Sequence, residues 1–312
     1  MSNLNREAWT QVLVENTFPD NDFINYSVDH SQYVNYMSVH VPNVGAIPNV
    51  TVDRTVFPGT ITQRQDFDLQ YNLHEYSTDP QHVQYSEQAE ISYDKMASIL
   101  SNMTNQLKTA IGNRTAYDWS PQAVVSGVTR VVRTTGAAST ACLASGATGS
   151  RSAVTLSDIA RVKSILAADK MPDDGNQFLL FPSTIYWNQL LQISEVIEMF
   201  KYGKAVLPSG VLNELYNFNI MIRPDVSVYL TGATPVLQTI DGNGNVVATN
   251  TTDNLAILAW HKNAVSSAKG EMKIFFAGDR PEYYGDISSA LIRYGSAKIR
   301  RDGKGTCAIV QQ

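Results

Sequence analysis

The chain is short of charge, of cysteine and of long apolar runs. Only 17% of its 312 residues are Asp, Glu, Lys or Arg, against about 25% in an average globular protein. Cys142 and Cys307 are the only cysteines, and they form neither a CxxC nor a zinc-ligand pattern. That spacing excludes a disulfide framework and a zinc-folded module. Two buried, idle thiols are expected, with a single bridge between them as the alternative. No apolar stretch approaches the roughly 18 residues that a membrane-spanning helix needs. The opening residues, MSNLNREAWTQVLVEN, lack the basic start and apolar core of a signal peptide. A cytoplasmic folding environment and no membrane partner are therefore expected. Lysine is missing from the whole first part of the chain; the first is Lys95.

What is present is a chain with 43% hydrophobic residues, long enough for one large core or about two domains. The net charge of -5 is unevenly spread: residues 1 to 94 sum to -10 and the remainder to +5. The acidic part is either a solvated surface or a surface that lies against the basic remainder of a neighbouring copy. Opposite potentials of that kind steer docking and fix register more than they add affinity. Low charge combined with abundant Asn, Thr, Ser and Tyr also fits a surface hidden against copies of itself.

Periodicity divides the chain. Residues 5 to 16 suit a short helix with Trp9, Val12 and Leu13 on one side, and 18 to 48 form a long arm without sustained period, interrupted by Pro19, Pro42 and Pro48. Within the arm Met37, Val39 and Val41 alternate with Ser38 and His40. An irregular stretch this long is unusual inside a compact domain and suggests a segment that reaches outward. Val50 and Val52 alternate with Thr51 and Asp53; beyond Pro58-Gly59, Phe67, Leu69, Tyr71 and Leu73 alternate with Asp66, Asp68, Gln70, Asn72 and His74. Period two predicts half-buried strands, and the Pro-Gly turn predicts that these two strands pair as a long hairpin. Such a hairpin is marginal alone and needs a partner surface.

From Ser86 the period becomes helical, with Met96, Ile99, Leu100, Met103, Leu107 and Ile111 on one stripe. Ser86 is placed as an N-cap, Glu87 and Glu90 in the first turn, and Gly112-Asn113 as the stop. The helix would be roughly 38 Å long at about 1.5 Å per residue. Residues 119 to 154 turn small and polar and predict a flexible connection or surface loop. Thr155 to Asp158 has capping-box spacing and opens a helix that stops before Pro172. Then follow a PDDG turn, the apolar strand QFLLF and a second helix. Further strands are expected near 217 to 223 and 226 to 230, a Gly-Asn turn at 242 to 243, LAILAWH, a short helix from Ala264 to Lys269, EMKIFF, and strands from Ile287 to Val310.

No catalytic constellation emerges. Asp173 and Asp174 sit where a turn favours Asp before Gly, and no histidine, third carboxylate or nucleophile accompanies them in sequence; they are expected to be a solvated turn. Gly146, Gly149 and Ser150 lack the Gly-Lys-Ser/Thr of a phosphate loop. Asp241, Asn243 and Asn245 imitate a calcium loop but fail at Val246 and Thr252. The five histidines show no metal-ligand spacing. No enzyme activity, cofactor or metal is expected. The basic tail, Arg293, Lys298, Arg300, Arg301 and Lys304, is either a solvated face or a nucleic-acid-facing patch, with no sequence-specific binding expected.

The order of parts resembles a family over nearly the whole chain. Arm, hairpin VTVDRTVFPGTITQRQDFDLQYNLHEYSTDP, helix SEQAEISYDKMASILSNMTNQLKTAIGN, and the helix–strand–helix segment LSDIARVKSILAADKMPDDGNQFLLFPSTIYWNQLL are similar to a major capsid protein of tailed double-stranded-DNA phages, the Hong Kong 97 fold. KYGKAVLPSGVLNELYNFNIMIRPDV resembles the stretch that follows. The resemblance implies an α+β chain with an N-terminal arm at 1 to 44, an extended hairpin loop at 45 to 82 and a peripheral domain at 83 to 150. The last contains the spine helix, 86 to 112. An axial domain would span 151 to 285, with a return to the peripheral domain at 286 to 312. It implies a structural protein that gathers as pentamers and hexamers around double-stranded DNA, contacted non-specifically. Separate scaffolding, portal and decoration proteins are further implied partners, with assembly in the host cytoplasm and residence in the virion. The extended loop would lie on the adjacent subunit through Arg54, Arg64, Asp66, Phe67, Asp68, Leu69, Tyr71 and Leu73. Some members crosslink through a lysine in that loop, which this chain lacks. Others carry a scaffolding extension, whereas here the arm starts within a few residues of Met1. An encapsulin-like nanocompartment, which shares the fold and houses enzymes, is the alternative.

Overall fold

The protein is described by a computed structural model. It covers residues 19–45, 48–59, 61, 63–85, 95–125, 127–140, 142–202, 212–230, 232, 234–247, 249–300 and 302–312. The expected helix at 5 to 16, the start of the spine helix at 86 to 94 and part of the stretch after Tyr202 lie outside the described residues.

In chain order the main elements are β1 (Val28–Asp29), β2 (Ser38–Asn43), β3 (Phe67–Asn72), β4 (His74–Ser77), β5 (Gln81–Gln84) and α1 (Lys95–Trp119). Next come β6 (Val131–Arg133), α2 (Leu156–Ala168), β7 (Gln177–Pro182), α3 (Ser183–Asn188) and α4 (Ser194–Tyr202). The remainder is β8 (Phe218–Arg223), β9 (Val228–Leu230), β10 (Asp253–His261), β11 (Val265–Arg280), β12 (Gly285–Lys298) and β13 (Thr306–Val310).

Two sheets organise these elements. In the smaller, β12 lies between β11 on one side and β4 and β5 on the other, and β1 pairs with the start of β11. α1 packs on this sheet through Leu107 and Ile111 against Tyr76, Ala290 and Ile292. The larger sheet centres on β10, which pairs with β7, β9 and β13. β8 runs parallel to β7, and β6 parallel to β13. β7 is buried at every residue, as a strand covered on both faces must be. Leu179 and Phe181 point to the layer of α2 and α3 with Ile159, Val162 and Ile185. Phe178 and Leu180 point the other way, into an aromatic cluster.

That cluster joins the two halves. Trp119 at the end of α1 and Trp260 in β10 lie 5.5 Å apart, Phe178 stacks on Trp260, and Phe23 of the N-terminal segment meets Trp119 edge-on. Each indole N–H is satisfied: Trp119 donates to the Ser266 carbonyl and Trp260 to the Tyr26 carbonyl. Beside it sits Arg223, 1% exposed. Its guanidinium donates to Asn21 Oδ1 (3.2 Å), to Asn113 Oδ1 (2.6 Å) and to the Asp225 carbonyl, and it lies over the Phe23 ring. Burial pulls its pKa down to about 10, against the opposing charge of Asp225.

Several expectations need correction. The spine helix does not stop at Gly112 but runs to Trp119, and Ser120-Pro121 ends it, since a residue before proline is pushed out of the helical region. Lys298 donates to the carbonyl of Ser120, just past the helix end. Gly112 is a packing residue: a Cβ there would come within 2.1 Å of Asn21 Oδ1 and 2.8 Å of Arg223 Nη2. Residues 265 to 269 are strand rather than helix, because pairing along β12 overrides local preference. Consequently the sheets exchange at the 3₁₀ turn Lys262–Ala264, not near 285, and β13 closes the larger sheet instead of returning to the smaller one. The small-residue loop is tied down as well. Residues 138–139 pair with 151–152, and buried Arg151 donates to Asn254 Oδ1 and to the carbonyls of Thr148 and Thr251.

Gly112→Ala tests the Arg223 joint. Helix propensity favours alanine by about 1 kcal/mol, whereas displacing a bond to a charged donor costs about 1.5–3 kcal/mol. The variant is expected to be destabilised by roughly 1 kcal/mol, the difference of these two magnitudes. Adding Asn21→Ala should remove most of the clash, so that the pair of changes is less than additive in denaturant titration.

Candidate assembly surface

The extended loop is a ribbon of β2 and β3. Val39 faces Tyr71, Val41 faces Leu69 and Asn43 faces Phe67. The pairing corrects the expected hairpin: β3 takes its partner from the arm, at 38 to 43, and not from residues 50 to 53. Among the described residues 44 to 66 contain no strand. Val39 and Val41 share β3's apolar face, which the Thr51/Asp53 segment does not offer over the same length. At the closed end, Asp66 accepts from the Gly45 N–H (2.9 Å) and from Arg64 (2.8 Å). Those bonds, the Gly45 one foremost, hold its carboxyl below the usual range. On the polar face His40 and Asp68 pair at 2.5 Å, both half exposed.

The residues expected to meet a neighbour divide into two groups. Leu73 is 2% exposed and packs on Val39 and Ala268 within the chain, with Tyr71 and Val41 beside them. The Tyr71 hydroxyl also meets His30. These two side chains root the ribbon on the small sheet. Leu69 is half-buried, while Phe67, Arg64, Asp66 and Asp68 are exposed. Arg54 lies within the loop, reaching Thr51 Oγ1 and covering Gly59.

Two exposed apolar regions stand out. In the loop, Val50, Val52, Val56, Phe57 and Ile61 are between 75% and 95% exposed. At the far end of the small sheet, Ile274, Phe275 and Phe276 are between 52% and 60% exposed, with Tyr283 and Tyr284 nearby. Contiguous apolar surface of this kind marks interaction sites. The second region was not anticipated. EMKIFF reads as a strand, but nothing in its period distinguishes a buried strand from one left bare.

The acidic turn is also better furnished than expected. Asp173 accepts from Lys163 (2.6 Å) and Asn217 (2.6 Å). Asp174 lies 3.3 Å from Nε2 of His261, which is fully buried. His261 Nδ1 accepts from the Asn263 N–H, so Nε2 carries the proton and donates to Asp174. Hydrogen bonds from Asn176, followed by the His261 contact, hold Asp174 down to about 2. The group clamps the turn to the end of β10. Arg293 pairs with Glu75, Arg300 and Lys304 with Asp302, and Lys298 caps α1, so these tail cations are engaged within the chain. Cys142 and Cys307 are both free and buried. Among the described residues, no group of three or more His, Cys, Asp or Glu lies close enough to hold a metal. No helix among them is long and apolar enough to cross a membrane.

No protein-family model and no curated protein matches the chain in sequence. Solved structures do match in fold. A chain of the capsid of cyanophage P-SCSP1u superposes with a TM-score of 0.67 at 16% identity, covering 98% of this chain and 92% of its own. A chain of the cyanophage Pam1 capsid gives 0.68 at 10% identity, covering 99% and 97%. A chain of Mycobacterium phage Che8 gives 0.64 at 16% identity, covering 99% and 97%. The protein therefore has the α+β Hong Kong 97-like fold of tailed-phage capsid proteins.

The Asp174 clamp predicts a pH signature. Its carboxyl is depressed to about 2 from an ordinary 3.8, so the contribution is present above that ordinary value and is lost as pH falls toward 2. Asp174→Asn should lose less stability than the parent between pH 5 and 3 in urea titrations.

Proposed function

We propose that the chain is the major capsid subunit of a tailed phage. Many copies gather as pentamers and hexamers and close into an icosahedral shell around double-stranded DNA. The supporting observation is agreement in fold with phage capsid chains over nearly the full length of both partners, joined to a ribbon whose loop carries apolar side chains that no described residue covers. The role is mechanical rather than catalytic, and the shell is held by many modest contacts. The small sheet with α1 corresponds to the peripheral domain and the larger sheet to the axial domain. In this reading Arg54, Arg64, Asp66, Phe67, Asp68 and Leu69 face the neighbour, and Tyr71 and Leu73 hold the ribbon's root. Assembly takes place in the host cytoplasm, with scaffolding, portal and decoration proteins as separate partners, and the DNA is contacted through its backbone without regard to sequence. The nanocompartment alternative, which shares the fold, is not better supported: the similar chains are those of phage capsids.

Deleting residues 45 to 82 would remove β3, β4 and part of β5 and so damage the small sheet. A cleaner variant replaces 46 to 64 with a short Gly-Ser turn, leaving β2 and β3 joined. Electron microscopy of the intact chain, alone or with lysate of phage-infected cells, should show closed shells or capsomers. The shortened chain should remain folded by circular dichroism and form neither. A monomeric intact chain under both conditions would overturn the proposal.

A further inference from the structure

β11 is an edge strand for most of its length. β1 covers it only at Ser266 and Ser267, and the Lys269 N–H is taken by Ser31 Oγ. From Met272 to Ala277 the pairing with β12 is regular, and no strand among the described residues lies on the outer side. The direction of the free groups follows from the ladder. Ala290, opposite Ile274, uses both its N–H and its carbonyl on Thr78, away from β11. Ile274 therefore sits in a non-hydrogen-bonded pair, and its own N–H and carbonyl point outward. By the same alternation so do those of Met272 and Phe276. A bare row of donors and acceptors flanked by exposed Ile274, Phe275 and Phe276 is a template for another strand, and soluble proteins normally blunt such an edge.

The chain also holds a strand-like segment without a ladder. Val50 and Val52 alternate with Asn49 and Thr51. The segment is not paired, and both valines are more than 80% exposed, at 91% and 81%. Asp53, with φ of 50°, turns the chain away after Val52. In antiparallel register with Val52 opposite Ile274, Val50 meets Phe276, so the two apolar pairs are complementary.

Resting on the capsid reading above, we propose that residues 49 to 52 of one copy add as a strand to the Met272–Phe276 edge of β11 in a second copy. The backbone bonds supply the attachment, and the valine pair against Ile274 and Phe276 supplies the register.

Ile274→Pro tests this directly. It removes an outward N–H that no strand among the described residues takes up, a position where an edge strand tolerates proline. The variant should keep the parent's circular dichroism and melting behaviour and lose at least tenfold in particle yield. A second measurement stands should that variant not fold. Particles carrying Val52→Cys with Ile274→Cys, or Val50→Cys with Phe276→Cys, should give disulfide-linked oligomers on oxidation, over a background kept low by the burial of Cys142 and Cys307. Normal particles from folded Ile274→Pro, or particles that crosslink with neither pair, would overturn the strand addition and leave the capsid reading intact. Crosslinked dimers from Ile274→Cys alone would overturn it too, because the occupant would then be a second β11. A parent chain that forms no particles removes the capsid reading, and this proposal with it.

Discussion

The fold depends on one joint. Two sheets and a long helix must be fixed to each other, and the chain does this where Phe23, Trp119, Phe178 and Trp260 meet. Each aromatic comes from a different element. Large rings bury about 150–250 Å² apiece, so four of them give a small contact area the weight of a core. Arg223 adds direction to that adhesion. Its planar fork fits the N-terminal segment, α1 and the turn after β8 only in one arrangement. Gly112 exists to let the three approach.

From this joint the ribbon inherits its aim. The N-terminal segment leaves the aromatic cluster, passes β11 at β1 and enters β2, so the ribbon's root is fixed through Val39, Leu73 and Ala268. Beyond the Gly45–Asp66 contact the chain has strongly exposed valines and a phenylalanine. Leaving them in water is unfavourable, at about 25 cal/mol per Å² of exposed apolar surface. The same holds for the β11 edge. Among the described residues, neither feature is covered by another strand of the chain.

The legible parts of the sequence were those where one local rule acts alone. The Thr155–Asp158 capping box closes as its spacing predicts, and QFLLF is a strand buried on both faces. The alternation of residues 67 to 73 correctly announced a strand but not its partner, since period two is compatible with any apolar strand nearby. Gly112 misled because a glycine that ends a helix and one that admits a neighbour look identical in sequence. Residues 265 to 269 misled because small residues follow whatever ladder lies beside them. The capsid-like order of parts was readable from arm, alternation, long helix and helix–strand–helix. The Arg223 joint and the His261–Asp174 clamp were not, because each joins residues far apart in sequence.

The chemistry of the Arg223 joint has a further consequence. Its acceptors are two side-chain amides and a backbone carbonyl, none of which titrates. Its single ionisable group keeps its proton up to about pH 10. The connection between the two sheets is therefore blind to acidification, whereas ties such as Asp174 and Asp66 loosen as their carboxylates protonate. Acid would therefore slacken the turn at Asp174 and the ribbon end at Asp66 while leaving the angle set by Arg223 unchanged.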